Sequence, residues 1–141
     1  MKKRSILSGR QKYMKPPIMA DTSAWIEYFR GNNTIISIIE DALDEDRVYI
    51  AGPILSELIQ GVRTDNEYDL LMSCIGAIPC IDCEYGDWIN AGSSSRSLRK
   101  KGTTIPLTDV LISTLAIRYD MKVLTLDKHF IGIEDVKLLE I

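Results

Sequence analysis

Ile18-Met19-Ala20-Asp21-Thr22-Ser23-Ala24-Trp25-Ile26-Glu27-Tyr28-Phe29 sets the pattern that the rest of the chain repeats. Three apolar residues read as a buried strand, and Asp21 stops the run. Trp25, Ile26 and Phe29 then recur at helical spacing up to Gly31. Downstream, Ile35, Ile36, Ile38, Ile39, Ala42 and Leu43 follow the three-and-four spacing of an amphipathic helix. Val48-Tyr49-Ile50 reads as a second strand, and Pro53 marks a helix start. That helix presents Ile54, Leu55, Leu58, Ile59 and Val62. A short helix over Glu67 to Cys74 precedes a strand over Ile78 to Ile81.

Residues 84–101 are expected to be helical with weak periodicity, weakest at Gly92-Ser93-Ser94-Ser95. Asp109 to Tyr119 is a helix apolar on most sides, hence buried. Val123-Leu124-Thr125-Leu126 is a strand rich in branched residues, and Val136 to Ile141 a last, edge-like strand. Short apolar strands alternating with helices predict an α/β fold with a parallel sheet covered on both faces. Ligands of such sheets sit beyond the carboxyl ends of the strands.

Composition agrees with one ordinary domain. The 141 residues are 45% hydrophobic and 26% charged, enough to bury a core without a disulfide or a metal. No apolar run approaches the roughly 20 residues that span a bilayer, and the start of the chain lacks the apolar middle of a signal peptide. A cytoplasmic protein is the expectation. Three cysteines cannot all pair within one chain, so free thiols are expected, and Cys80-x-x-Cys83 has no second cysteine pair or nearby histidine to make a zinc site. Charge is uneven. Residues 1–17 carry six basic groups and no acid and read as a poorly ordered extension, whereas the other 124 hold 11 basic groups against 20 acids. A nucleic-acid binder usually carries a basic domain, and residues 18–141 do not form one.

Four acids stand in apolar company. Asp21 ends Ile18-Met19-Ala20, and Asp127 closes Val123-Leu124-Thr125-Leu126, both at carboxyl ends of strands. Glu57 interrupts an apolar helix, with Gly61 leaving space beside it, and Asp109 opens another, sharing its face with Ser113. Both are read in first helical turns, where the dipole stabilises a carboxylate by about 0.3–1 kcal/mol. Each acid also has a bland role as a helix cap, solvated edge residue or turn former. Convergence of all four would be costly through desolvation and repulsion, and a divalent cation relieves that cost. Hard oxygen donors favour Mg²⁺ or Mn²⁺ over zinc.

Four motifs in order resemble the PIN-domain family, specifically the small VapC-type toxins of bacterial and archaeal toxin–antitoxin pairs. They are Asp21-Thr22-Ser23, Ser56-Glu57-Leu58-Ile59-Gln60-Gly61, Leu107-Thr108-Asp109-Val110-Leu111-Ile112-Ser113-Thr114 and Leu124-Thr125-Leu126-Asp127-Lys128-His129-Phe130. The resemblance covers Ile18 to the C-terminus and implies a three-layer α/β/α domain over residues 18–141. It implies a metal-dependent endoribonuclease that leaves a 5′-phosphate and a 3′-hydroxyl. Asp21, Asp109 and Asp127 would be metal ligands, with Glu57 a fourth catalytic acid holding a water or second metal. Ser23 and Thr125 would orient the carboxylates. A homodimer and an antitoxin partner are implied too.

His129 stands where the family often has an acid, and it reads as a surface or packing residue. Arg96, Arg99, Lys100 and Lys101 form a basic cluster that suits RNA phosphates as well as a solvated helix end. Trp25 and Phe29 suit an interface or the core. Other functions fit these residues less well. A phosphoaspartyl enzyme of the HAD type wants a second Asp two residues after the first, where this chain has Ser23, and a receiver domain wants an early acid pair that is missing. A PIN-like interaction module without activity would be marked by lost acids, and all four are present.

Overall fold

The computed structural model describes residues 15–141. The core starts with β1 (Ile18–Ala20), all three residues buried, flanked by β2 (Val48–Ala51) and β4 (Lys122–Leu124). β3 (Cys80–Ile81) and β5 (Lys137–Leu138) are the edges, giving the order β3-β2-β1-β4-β5 with every pairing parallel. Parallel neighbours need crossovers, and among the described residues six helices supply them. They are α1 (Thr22–Phe29), α2 (Asn33–Asp44), α3 (Gly52–Gly61), α4 (Asp65–Ile75), α5 (Tyr85–Lys100) and α6 (Leu107–Arg118).

From β1 the chain steps outward through β2 to β3, then crosses back to β4 on the other side of β1. Right-handed crossovers therefore place α1 to α4 on one face and α5 with α6 on the other. The α/β three-layer expectation holds. The sheet changes direction between β1 and β4, so the crevice for a ligand opens at their carboxyl ends. Asp21 follows one of these strands and Asp127 closely follows the other.

Local chemistry explains the helix starts. Asp21 ends β1 and caps α1, its Oδ1 accepting from the Ala24 amide at 3.0 Å. Asn32 caps α2 and Thr64 caps α4 in the same way. α5 is helical throughout, Gly92 to Ser97 included. Asp87 Oδ2 accepts from the Glu84 amide at 2.8 Å at its start, while Ala91 and Leu98 pack against Val110 and Ile105. Burial of one stripe outweighs the poor propensity of the Gly-Ser run. α6 is buried on most sides, as its composition predicts.

Several boundaries differ from the sequence reading. β4 stops at Leu124, whose carbonyl accepts from the Asp21 amide; beyond it the Thr125 hydroxyl donates to the Asp21 carboxylate. β3 and β5 are two-residue edges rather than the longer runs expected. Glu57 is not in a first turn. α3 begins at Gly52, so Glu57 is the sixth residue and out of reach of the dipole. Trp25 goes to the core, fully buried against Tyr28 and Phe29.

The chain is already packed at Pro16 and Pro17, whose carbonyls accept from Arg47 Nη1 and the Lys122 amide. The expectation of poor order for residues 1–14 lies outside the described residues. Cys74, Cys80 and Cys83 are not bridged to one another, and burial raises the pKa of Cys74 and Cys83, which keeps both protonated. No described helix is long and apolar enough to cross a membrane.

Candidate active site at the sheet edge

Asp21 anchors the site. Register places Ala20 opposite Leu124, so Asp21 and Thr125 emerge side by side from adjacent strands. The Ser23 hydroxyl donates to Asp21 Oδ1 at 2.6 Å, and the Thr125 hydroxyl donates to Asp21 Oδ2. Each hydroxyl also accepts a backbone amide, Ser23 from Leu126 and Thr125 from Asp127, both at 2.9 Å. One carboxylate thereby ties the start of α1 to the loop after β4. Burial raises the Asp21 pKa, its hydrogen bonds from Ser23, Thr125 and Ala24 oppose that, and the Asp127 charge adds to it.

The other acids gather around it. A cleft of about 260 Å³ is lined by Asp21, Thr22, Ser23, Ile26, Glu57, Asp109, Ile112 and Asp127. Asp109 enters from the first turn of α6, where the helix dipole favours an anion. Burial raises its pKa; the bond from His129 pulls the other way, and the charges of Asp127 and Asp21 push it up further. Asp127 accepts from the His129 amide at 2.9 Å and so begins the 3₁₀ turn Lys128–Gly132. Glu57 comes from α3 on the opposite wall and is exposed, its Oε1 accepting from the Thr22 hydroxyl at 2.8 Å.

The structure thus brings Asp21, Glu57, Asp109 and Asp127 to one cleft, with Ser23 and Thr125 holding the first of them. Arg96, Arg99, Lys100 and Lys101 do not line it; they lie at the end of α5 and in the turn beyond. His129 is exposed, as the sequence reading has it, and it also meets two acids of the cleft. Its Nδ1 lies 3.0 Å from Asp109 Oδ2 and 3.0 Å from Asp127 Oδ1. Asp127, two residues before it, starts the turn that sets the half-exposed ring against these acids, a contact not visible in residue type. Thr22 was also missed, since a hydroxyl beside an acid carries no signal that it will meet Glu57.

The donor set fits a divalent cation. Asp109, Asp127 and His129 each offer a ligand atom within 4.8 Å of the others. Asp21 lies outside that group, yet it is close enough to raise the Asp109 pKa. The imidazole nitrogen sits between the two carboxylates, 3.0 Å from each. Oxygen donors with at most one nitrogen match Mg²⁺ or Mn²⁺ coordination.

A PIN domain family model matches residues 18–136, most of the chain and every acid of the cleft. The chain belongs to the PIN-domain family. Curated relatives of this PIN domain include the VapC ribonuclease Mb1587 of Mycobacterium bovis and ribonuclease VapC11 of Mycobacterium tuberculosis. Each is 31% identical over 118 residues, covering 80% of this chain and 88% of the relative. Among solved structures, the VapBC2 complex of Rickettsia felis bound to a promoter DNA fragment matches with a TM-score of 0.76 at 20% identity. It covers 86% of this chain and 96% of that one. The DNA-bound VapBC of Salmonella typhimurium matches with a TM-score of 0.76 at 22% identity, covering 87% and 96%. Those two likenesses concern the fold.

Proposed function

We propose that this PIN domain is a divalent-metal-dependent endoribonuclease and the toxin of a toxin–antitoxin pair, acting in the cytoplasm through residues 18–141. One observation carries the reading: four carboxylates from distant segments line a single cleft, and those of Asp21 and Asp109 are raised in pKa by burial and by their neighbours' charge. Such crowding is tolerable when a cation joins it. The VapC ribonucleases among the relatives support RNA as substrate.

Asp109 and Asp127 are the residues best placed to hold the ion, with Asp21 beside them. When bound, a divalent cation polarises the phosphoryl oxygens, lowers the pKa of a water and stabilises charge on the leaving oxygen. The chain supplies position. Ser23 and Thr125 fix both oxygens of Asp21, so its orientation does not depend on the ion. Glu57, held by Thr22 at the cleft, would hold a water or a second metal there. In-line attack then leaves a 5′-phosphate and a 3′-hydroxyl.

Mg²⁺ and Mn²⁺ are both suited to this site, and an antitoxin and a second copy of the chain are its proposed protein partners. VapBC complexes among the structural neighbours support the antitoxin. So does an apolar groove of about 550 Å³ lined by Ile26, Phe29, Leu58, Val62, Leu70 and Leu71, which shares Ile26 and Glu57 with the cleft. Cleavage of labelled RNA tests the reading, with Mg²⁺, with Mn²⁺ and with chelator, for the unsubstituted chain and for Asp109→Asn. Activity should need the metal and be lost in the variant. Full activity in chelator, or in Asp109→Asn, would refute it.

A further inference from the structure

α5 carries an exposed stripe that the cleft does not use. At 100° per residue, Tyr85, Trp88, Ile89, Gly92, Arg96, Arg99 and Lys100 fall on one arc of about 120°. Asp87, Ala91 and Leu98 occupy the opposite, inward face. Tyr85 is 81% exposed and Trp88 53%, and neither ring packs on another ring among the described residues. Arg96, Arg99 and Lys100 make no ion pair among the described residues, and Lys101 only approaches Glu134 at 4.0 Å. On a chain that is net acidic, Arg96, Arg99 and Lys100 place three exposed cations within five residues.

The stripe has a direction. Arg118 in the last turn of α6 pairs with Glu84 and Asp87 at the start of α5, at 3.2 and 3.1 Å. The two helices therefore run antiparallel. Leu98 correspondingly packs in the cluster that holds Val110, the residue after Asp109. The basic end of α5 is thus the end nearest the catalytic edge, and the aromatic end lies up to about 22 Å further along the helix.

We propose that this face of α5 is a track for single-stranded RNA, on which Arg96, Arg99 and Lys100 hold phosphates next to the cleft and Trp88 and Tyr85 stack bases beyond them. A strand offers both chemistries the stripe requires, a regular anionic backbone and flat apolar bases. A second protein is the weaker match. Two aromatic rings and one isoleucine fall well short of the roughly 800 Å² per partner of a stable interface, and the other half of the stripe would need acids opposite it. The track rests on the ribonuclease reading and adds to it a preference for strands longer than the cleft can hold.

Two tryptophans give a direct readout, because Trp25 is fully buried and Trp88 is exposed. In the Asp109→Asn background, where the strand stays intact, RNA of about 14 nucleotides should quench tryptophan fluorescence, and Trp88→Ala should remove the quench. Tyr85→Ala with Trp88→Ala should weaken binding of that strand by about tenfold or more, with little change for about 4 nucleotides. Replacing Arg96, Arg99 and Lys100 by Gln should lower the slope of log affinity against log salt by about 2, near 0.7 per phosphate contact. Circular dichroism confirms folding, which these exposed positions should not disturb. An unchanged quench, affinity and salt slope in folded variants overturns the track. So does a dimer that becomes monomeric in Trp88→Ala while RNA binding stays the same, which would make the face an interface between copies. Metal-dependent cleavage by the unsubstituted chain beside unaffected α5 variants removes the track alone. Neither binding nor cleavage by any form removes the ribonuclease reading with it.

Discussion

Asp21 and Asp87 are both buried carboxylates, 4% and 2% exposed, yet their surroundings are opposite in kind. Asp87 faces the Arg118 guanidinium at 3.1 Å and accepts from the Glu84 amide, and Arg118 in turn lies 4.4 Å over the Tyr119 ring. That cluster ties the start of α5 to the end of α6. Among the described residues Asp21 is held by neutral donors from Ser23, Thr125 and Ala24, and the charges near it include Asp127 and Asp109. One acid is paired with a cation of the chain; the other has no cationic side chain among its hydrogen-bond partners in the described residues. A buried acid whose charge is matched within the chain is a structural joint. A buried acid with other acids around it fits a divalent cation.

The sharpest way to break this contrast is to neutralise each acid's surroundings in turn. Asp21→Asn should lower RNA cleavage by about 10³-fold, the size expected from losing several kcal/mol of charge stabilisation, while the fold survives. Arg118→Met should do the reverse. Leaving Asp87 buried without its guanidinium should cost about 3–5 kcal/mol in urea unfolding, with activity per folded molecule retained.

Metal should separate the two regions again. Mg²⁺ or Mn²⁺ at about one hundred times its dissociation constant should stabilise the protein by about 2.7 kcal/mol in thermal unfolding. Asp109→Asn should lose that gain, and Arg118→Met should keep it. His129→Ala tests whether the ring competes with the ion between Asp109 and Asp127. Removing two ring contacts at 3.0 Å should tighten Mg²⁺ binding about fivefold by calorimetry, the worth of one ordinary hydrogen bond. Weaker binding would instead make His129 a ligand.

The smallest effect concerns pH in the metal-free protein. The Asp109 pKa is raised in the folded state by burial, so folding binds its proton more tightly than the unfolded chain does. Its ionisation therefore withdraws stability as pH rises from the ordinary carboxylate value through the raised one. Metal-free Asp109→Asn should be more stable than the unsubstituted chain at neutral pH, and the difference should vanish once the pH falls below the ordinary carboxylate range. Denaturation midpoints at several pH values in chelator measure this directly.

Much of the architecture was legible in the residues because burial imposes a period. Ile18-Met19-Ala20, Val48-Tyr49-Ile50 and the helix from Asp109 are where their patterns put them, give or take a residue or two. The misreadings arose where a non-local contact decides. Thr125 leaves the strand pattern because Asp21, 104 residues away, takes its hydroxyl. Gly92 to Ser97 reads as weak and is helical because Ala91 and Leu98 bury their face on α6. Trp25 and Trp88 both lie on helices with apolar neighbours, and one is core while the other faces solvent.

That Asp21, Glu57, Asp109 and Asp127 stand apart from the other acids was determined by sequence alone, since a carboxylate set in an apolar run is conspicuous through its nearest neighbours. So was the alternation of strand and helix, which local periodicity carries. Only the tertiary structure decided that β1 and β4 are adjacent, that His129 closes onto Asp109 and Asp127, and that the cationic end of α5 lies toward the cleft. Those outcomes depend on the direction of crossovers and the register of strands, which are settled by surfaces meeting across the molecule and leave no mark on any single stretch of chain.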